Sequence, residues 1–358
     1  MEALLAVFLI FFIIFTIIWT LATVIGTFST DSNADGTEES TDGIEENEPP
    51  VPNPVFVGTA IPPLSSDSAS TITGISSKYA TLVNVETGKI IATKQGDVRF
   101  APASMTKVMT LIVACEYLSV EDLDRKLEYT MEVYEYTSMG AYDGTEQMLS
   151  GGEKNYQRYL GDFFKIRDLL YGIGVASSSE CTYMICKEIG GTEEGFVALM
   201  NQKAERMGLF DTHFDNAIGH ESENNYTTAN DMATIMMYAM QSDLICDILK
   251  KRDIYRYEAY YNEDGVEKSY NRQFNATLQE RYDTYKEVFA SSFFMKTATL
   301  QGGKTGYLKE NGVINNCLVS WATSDNDGTL YVLVLGCNDK NSAYTMKDVK
   351  ATFEAHVD

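Results

Sequence analysis

The sequence predicts an α/β fold: an antiparallel β-sheet covered by helices, with a large helical insert between its strands. Residues 79–93 and residues 316–337 each contain two β-branched, apolar runs around a polar turn with glycine, which is typical of a β-hairpin. Residues 121–240, between the hairpins, show mostly helical periodicity. The two hairpins can therefore form one sheet that the intervening helices cover.

Residues 1–28 are predicted to be a transmembrane anchor or a signal, because Ala3 to Phe28 carry no charged side chain. An apolar run of about 20 residues is long enough to cross a bilayer as a helix. A secretory signal normally begins with basic residues and ends in a small-residue cleavage site. Neither feature is present here, so we favour an uncleaved anchor over a cleaved signal.

Residues 29–72 are predicted to be a linker. Their first half is acidic and their second half is rich in proline. Such a composition buries too little apolar surface to offset the entropy of an ordered chain. Residues 73–358 are therefore predicted to form the folded domain, which opens with the first hairpin.

The first helix of this domain is predicted to begin near Pro102, because proline is tolerated in the first turn of a helix. Met105 and Val108 follow at helical spacing. Further periodic segments in the insert end in glycines, as helix C-termini often do. The tyrosine-rich stretch 255–285 has no clear period and is predicted to form loops and short strands. A final helix is predicted near residues 343–356.

The formal net charge of −23 disfavours anionic partners. An acidic protein repels the phosphates of nucleic acid, so a nucleic-acid-binding role is not expected. The cysteines form no C-x-x-C pair and the histidines form no H-E-x-x-H motif. The sequence therefore predicts no zinc site.

Ser104 and Lys107 form an S-x-x-K motif at the start of the first predicted helix. Positions i and i+3 lie on the same helix face, so the lysine amine can reach the serine hydroxyl and accept its proton. The helix N-terminus also offers backbone N–H groups to a developing oxyanion. The motif alone is weak, since an N-cap serine beside a solvated lysine has the same pattern.

Lys304, Thr305 and Gly306 form a K-T-G motif shortly before the second hairpin. A strand with this motif could bind an extended substrate along its backbone. Its lysine and threonine would attract a carboxylate, and glycine permits close approach. A phosphate-binding G-x-x-x-x-G-K-T loop is disfavoured, because Ala298 stands where that pattern needs glycine.

A third element, Ser177-Ser178-Ser179-Glu180, lies between the other two motifs. A hydroxyl here could relay a proton between a lysine and a leaving group. A triple serine is by itself more often a loop or an N-cap. The triple serine therefore indicates a function only when it is considered together with the two motifs on either side of it in the chain.

In this order the three motifs resemble those of the penicillin-binding and serine β-lactamase superfamily, and the chain is similar to its serine D-Ala-D-Ala carboxypeptidases. The resemblance covers residues 75–340, apart from gaps around 130–160 and 245–295. It implies a β-lactamase/transpeptidase-like fold. It also implies removal of the terminal D-alanine from peptidoglycan stem peptides, without a metal or organic cofactor, and covalent inhibition by β-lactams.

The resemblance implies a catalytic role for each matching residue. Ser104 is the nucleophile and Lys107 accepts its proton. Ser177 passes a proton to the departing D-alanine, and Lys304 supports that transfer electrostatically. The backbone N–H groups of Ser104 and Tyr307 form the oxyanion hole.

The resemblance also assigns substrate binding to the K-T-G strand, with Thr305 on the terminal carboxylate, flanked by Lys304, Gly306 and Tyr307. The chain departs from the family at Ser179, which stands where an S-x-N motif has asparagine. We keep Ser179 among the substrate-binding residues, although its hydroxyl is shorter than an amide. Losing one polar contact in a transition state costs roughly 2–4 kcal/mol, so activity could be slow or the substrate altered.

Two alternatives stay open. The Ser179 departure fits a weakly active or inactive module that binds penicillin or peptidoglycan. A class A β-lactamase shares the first and third motifs but also needs a carboxylate that activates the deacylating water, and we identify none. A Ser-His-Asp hydrolase is disfavoured, because no G-x-S-x-G motif is present.

Overall fold

The computed structural model describes residues 51–139, 160–310 and 313–358. Within these ranges no helix is both long and apolar enough to cross a bilayer. The predicted anchor, residues 1–28, lies outside the described residues, as does the acidic part of the predicted linker, residues 29–50.

The elements below are those of the described chain. The strands are β1 (Ser70–Thr71), β2 (Tyr79–Asn84), β3 (Ile90–Lys94), β4 (Lys126–Glu128), β5 (Phe163–Lys165), β6 (Tyr255–Glu263), β7 (Val266–Phe274), β8 (Ala298–Glu310), β9 (Val313–Ser324) and β10 (Leu330–Asn338). The α-helices are α1 (Lys107–Tyr117), α2 (Met131–Met139), α3 (Ile166–Tyr171), α4 (Ser179–Gly190), α5 (Glu193–Arg206), α6 (Ala229–Ala239), α7 (Asp243–Lys250), α8 (Thr277–Phe289) and α9 (Ser342–His356). Shorter turns are the 3₁₀ segments Ala103–Thr106 and Val120–Asp124 and the π-helical segment Gly172–Ala176.

Six strands form the main sheet, in the order β1-β3-β2-β10-β9-β8. Apart from the short parallel pair β1–β3, neighbouring strands are antiparallel. The two predicted hairpins meet between β2 and β10, where Val83 lies opposite Val332. The predicted antiparallel sheet with covering helices and a large helical insert is confirmed.

A second sheet, in the order β4-β5-β6-β7, is not predicted by the sequence. The tyrosine-rich stretch forms the strands β6 and β7, which pair antiparallel from Tyr255 opposite Phe274 to Glu263 opposite Val266. Helix α8 follows. Most side chains of β7 are exposed, so this strand lacks the alternation of apolar and polar residues that identifies a half-buried strand.

Successive side chains of the main sheet enter two separate apolar cores. Val83 and Val319 belong to the core that contains α1. Their neighbours Leu82 and Leu318 belong to the core on the other face, which α9 covers. All residues of α1 from Lys107 to Cys115 are buried. The helix that carries the S-x-x-K motif is therefore buried in the apolar core that the sheet shares with the helical insert.

Residues 51–72 lie against the domain, whereas the sequence predicts that they belong to a linker. The Val55 N–H donates to Leu118 O at 2.8 Å, and the Phe56 N–H donates to Cys115 O at 2.9 Å. The Phe56 ring is buried in the core, and β1 pairs with β3 further along the chain. A few apolar side chains thus fix a segment whose average composition indicates disorder.

We expect Phe56→Ala to lower the free energy of unfolding by about 3 kcal/mol, because truncating a buried aromatic ring costs about 3–5 kcal/mol. The Phe56 ring meets the Tyr238 ring edge-on, with ring centroids 5.3 Å apart. Denaturant unfolding measures the difference. Val57→Ala is the matched control, since Val57 is 77% exposed and its truncation should change stability by less than about 0.5 kcal/mol. Equal effects of the two substitutions would contradict a structural role for this segment.

Candidate active site

Ser104 and Lys107 lie at the N-terminal end of α1. Ser104 is part of the 3₁₀ segment that leads into the helix, and Lys107 is its first residue. The Lys107 Nζ lies 3.2 Å from Ser104 Oγ and donates to Ile218 O at 2.6 Å. Both residues are buried, with 8% of Ser104 and 1% of Lys107 exposed. The amine and the hydroxyl are therefore within hydrogen-bond distance in a water-poor environment.

The backbone that precedes Ser104 has an unusual conformation. Ala103 has a φ of 52°, in the left-handed region that residues with a side chain rarely adopt. Gly219, with a φ of +82°, packs against it, and a Cβ on Gly219 would lie 1.9 Å from Ala103 O and 2.9 Å from Ser104 N. The Gly219 backbone thus packs directly against the peptide group that joins Ala103 and Ser104, and there is no room between them for a side chain at position 219.

Ser177 and Lys304 come from elements that are far apart in the sequence. Ser177 follows the π-helical segment with a left-handed φ of 61°, and Lys304 lies in β8. The Lys304 Nζ donates to Ser177 Oγ and to Thr305 O, both at 2.9 Å. Lys304 is fully buried. An ammonium in this position can stabilise a negative charge on the adjacent Ser177 hydroxyl.

Strand β8 passes close to the backbone that precedes Ser104. A Cβ on Gly306 would lie 3.0 Å from Ala103 Cβ and 3.1 Å from Pro102 O. The Thr305 hydroxyl donates to Thr277 Oγ1 at 2.9 Å, so the start of α8 adjoins the K-T-G segment. The structure therefore brings the first and third motifs together.

A cavity of about 650 Å³ joins these groups. Its lining includes four predicted site residues: Ser104, Ser177, Thr305 and Tyr307. Lys107 and Lys304 contact the two serines from behind this surface. A larger cavity of about 820 Å³ lies beside Arg252, and no predicted site residue is among the described residues that line it. Because the smaller cavity is the one lined by the predicted nucleophile and by the predicted proton relay, it is the candidate active site.

Arg281 of α8 also lines this cavity, and no motif in the sequence identifies it. The guanidinium donates to Gly306 O and to Asn316 Oδ1, both at 2.9 Å. Burial lowers the pKa of the Arg281 guanidinium to about 10, so it stays protonated at neutral pH. Among the described residues, no carboxylate forms an ion pair with it. An arginine in a polar stretch without periodicity carries no sequence signal, and the packing of α8 on β8 alone reveals it.

Ser179 is enclosed by the protein. It is the first residue of α4, is 2% exposed, and its hydroxyl has no hydrogen-bond partner among the described residues. The neighbouring Ser178 caps α4 by accepting a hydrogen bond from the Cys181 N–H. Of the three serines, Ser177 is the one that lines the cavity. The predicted contact between Ser179 and substrate stays a prediction.

We expect Ser179→Ala to leave the rate of acylation by a fluorescent penicillin within about threefold of wild type, because replacing a buried hydroxyl that lacks a partner is nearly neutral. The unfolding temperature should be equal or higher. Ser177→Ala is the matched comparison, and we expect it to slow acylation by about 100-fold through loss of a proton relay. A comparable loss in Ser179→Ala would establish a substrate contact at Ser179.

A profile of the family described as peptidase S11, D-alanyl-D-alanine carboxypeptidase, matches residues 66–339. Among curated relatives, D-alanyl-D-alanine carboxypeptidase DacF of Bacillus subtilis is 31% identical over 198 residues, which are 55% of this chain and 45% of the relative. D-alanyl-D-alanine carboxypeptidase DacC of Escherichia coli is 28% identical over 154 residues, which are 43% of this chain and 37% of the relative. The chain thus spans less than half the length of these curated relatives.

Solved structures share the fold of this chain. The Streptomyces K15 DD-transpeptidase is similar with a TM-score of 0.60 and 22% identity, covering 78% of this chain and 96% of that chain. The D-alanyl-D-alanine carboxypeptidase of Mycobacterium tuberculosis is similar with a TM-score of 0.58 and 19% identity, covering 81% of this chain and 94% of that chain. The predicted transpeptidase-like fold is confirmed.

Proposed function

Because the chain belongs to the D-alanyl-D-alanine carboxypeptidase family, we propose that it is a serine hydrolase that removes the terminal D-alanine from peptidoglycan stem peptides. The observation that carries the proposal is the convergence of Ser104, Lys107, Ser177 and Lys304 on one cavity. Two buried lysines, each beside a serine hydroxyl, supply an activated nucleophile and a separate proton relay. Cleavage of an amide through an acyl-enzyme requires both.

In the first step, Ser104 Oγ attacks the carbonyl carbon of the penultimate D-alanine. The hydroxyl proton passes to the neutral amine of Lys107, a C–O bond forms, and the carbonyl oxygen becomes an oxyanion. The N–H groups of Ser104 and Tyr307 stabilise this oxygen. Loss of one such donor lowers the rate by about 10²–10³-fold in other acyl-transfer enzymes.

The tetrahedral intermediate then collapses and the C–N bond breaks. The proton that Lys107 received reaches the departing amine through the Ser177 hydroxyl. Lys304, whose Nζ lies 2.9 Å from Ser177 Oγ, stabilises the transient negative charge on that hydroxyl. D-Alanine leaves as a free amine, which then takes up a further proton from the solvent, and the rest of the stem peptide stays bound to Ser104 as an ester.

Water hydrolyses the ester in the second step. Lys107 accepts a proton from the attacking water, and Ser104 Oγ regains a proton as the C–O bond breaks. The product is a stem peptide shortened by one residue. A β-lactam has a strained amide in place of the D-Ala-D-Ala bond, so Ser104 opens it to the same kind of ester. The proposed reaction uses no metal or organic cofactor.

Release of D-alanine from diacetyl-L-Lys-D-Ala-D-Ala tests the proposed reaction directly. We expect many equivalents of D-alanine per enzyme, and no release of alanine from the matched peptide that ends in L-alanine. Labelling by penicillin without D-alanine release would contradict the proposal in favour of an inactive penicillin-binding module. Catalytic turnover of nitrocefin, in place of stoichiometric trapping, would contradict it in favour of a β-lactamase.

The apolar N-terminal segment supports a further part of the proposal. Residues 3–28 carry no charge, and the proposed substrate lies outside the cytoplasmic membrane. These residues would hold the domain at the outer face of that membrane. Fractionation of cells should find the full chain with the membranes, and a variant that lacks residues 3–28 should lose this association.

A further inference from the structure

The alternation of backbone groups along β8 decides where the Tyr307 N–H points. Thr305 O lies on the edge of β8 toward Ser177, because the Lys304 Nζ donates to both Thr305 O and Ser177 Oγ, and Ser177, Thr305 and Tyr307 all line the cavity. Along a strand, the backbone polar groups of residues i and i+2 face the same edge. The N–H of Tyr307 therefore faces the cavity, as its role in the oxyanion hole requires.

The carbonyl of the same peptide group, Gly306 O, faces the opposite edge of β8, where Gly306 pairs with Cys317 of β9. The Arg281 Nη2 donates to this oxygen at 2.9 Å, while its Nη1 donates to Asn316 Oδ1 at 2.9 Å. The guanidinium thus bridges β8 and β9 at the position of the oxyanion donor. One planar peptide group has a cation at its oxygen and the reacting oxyanion at its N–H.

This arrangement strengthens the N–H donor. A cation bonded to the carbonyl polarises the peptide group, and hydrogen bonds in a chain reinforce one another. The interaction is stronger away from water, and Arg281 is 6% exposed. Burying a cation without a carboxylate partner is costly. That cost is offset when negative charge develops nearby, which happens in the transition state.

We propose that Arg281 is a positioning residue that orients and polarises the Tyr307 N–H of the oxyanion hole. The inference rests on the proposed function, because it assumes acyl transfer to Ser104. Arg281 acts through the Gly306–Tyr307 peptide group and does not bind the carboxylate of the substrate.

Stopped-flow acylation by a fluorescent penicillin separates the Kd of the first complex from the acylation rate constant. We expect Arg281→Met to lower the rate constant by about 10- to 100-fold, less than loss of a whole oxyanion donor, and to leave Kd within about threefold of wild type. Arg281→Lys keeps the charge without the paired hydrogen bonds and should give an intermediate rate constant. If Arg281→Met does not fold, Arg281→Lys is the variant that tests the inference.

Arg252→Met is the matched control. Arg252 donates to Tyr282 OH of α8, the helix that also contains Arg281, at 2.9 Å. Because Arg252 donates neither to β8 nor to the catalytic serines among the described residues, the variant should acylate at the wild-type rate.

A pair of substrates separates this role from carboxylate binding. Hydrolysis of the depsipeptide diacetyl-L-Lys-D-Ala-D-lactate is compared with that of its terminal amide. Independent effects add in free energy, so Arg281→Met should slow both substrates by the same factor. The inference would be overturned if Arg281→Met slowed hydrolysis only of the substrate with the free carboxylate. It would also be overturned if Arg281→Met slowed hydrolysis of neither substrate while the wild-type protein was active. Failure of the wild-type protein to acylate would instead refute the proposed function.

Discussion

Ser104→Ala is expected to abolish covalent labelling by a fluorescent penicillin and to reduce D-alanine release by about 10⁴-fold or more, as loss of a nucleophile does in other serine hydrolases. Alanine offers no atom that can form the ester, and the Lys107 amine then has no hydroxyl to deprotonate. Fluorescence on a gel measures the labelling. Intact-protein mass spectrometry should show one added penicillin on the wild-type chain and none on the variant.

A second serine provides the control for this experiment. Ser291→Ala makes the same chemical change at an exposed position away from the catalytic cavity, and we expect full labelling. Thermal unfolding should show that Ser104→Ala is folded. Labelling that persists in folded Ser104→Ala would place the nucleophile elsewhere and would refute the proposed mechanism.

Gly219→Ala is expected to slow acylation by about 100-fold or more, because misplacing reacting groups by about 1 Å costs that much. The added Cβ would lie 1.9 Å from Ala103 O, and the φ of +82° at Gly219 is strained for alanine. The backbone of Ala103 and Ser104 must therefore move, together with the nucleophile and one oxyanion donor. The acylation rate constant and the free energy of unfolding are both measured.

Gly208→Ala is the matched control. Gly208 has a φ of +74°, but apart from its chain neighbours no heavy atom of the described residues lies within 4 Å of the position that a Cβ would take. This variant should lose about 1–2 kcal/mol of stability from the left-handed backbone and acylate at the wild-type rate. Equal acylation rates for the two variants would show that the contact between Gly219 and Ala103 does not position the nucleophile.

Both hairpins of the main sheet are recognisable in the sequence, because each consists of β-branched, apolar runs around a polar turn. The three motifs are recognisable because each is a short contiguous run and their order resembles that of a known family. The segment at Phe56 is not recognisable, since one buried ring among prolines is invisible to an average over composition. Residues 255–285 are predicted to form loops and short strands, and the length of β7 is missed for a related reason: most of its side chains are exposed, so pairing with β6 is its main stabilising interaction. Pairing between strands leaves no pattern in either strand alone.

The sequence by itself determined the local part of the active site. Ser104 and Lys107 are three positions apart at a helix start, so helical geometry alone brings the amine to the hydroxyl. Only the tertiary structure decided that Lys304 meets Ser177, 127 residues away, and that Arg281 supports β8. Such contacts depend on whole helices packing against the sheet, where burial offsets the entropy of closing long loops. The spacing of residues along the chain does not show whether burial outweighs this entropy, so these contacts cannot be predicted from the sequence.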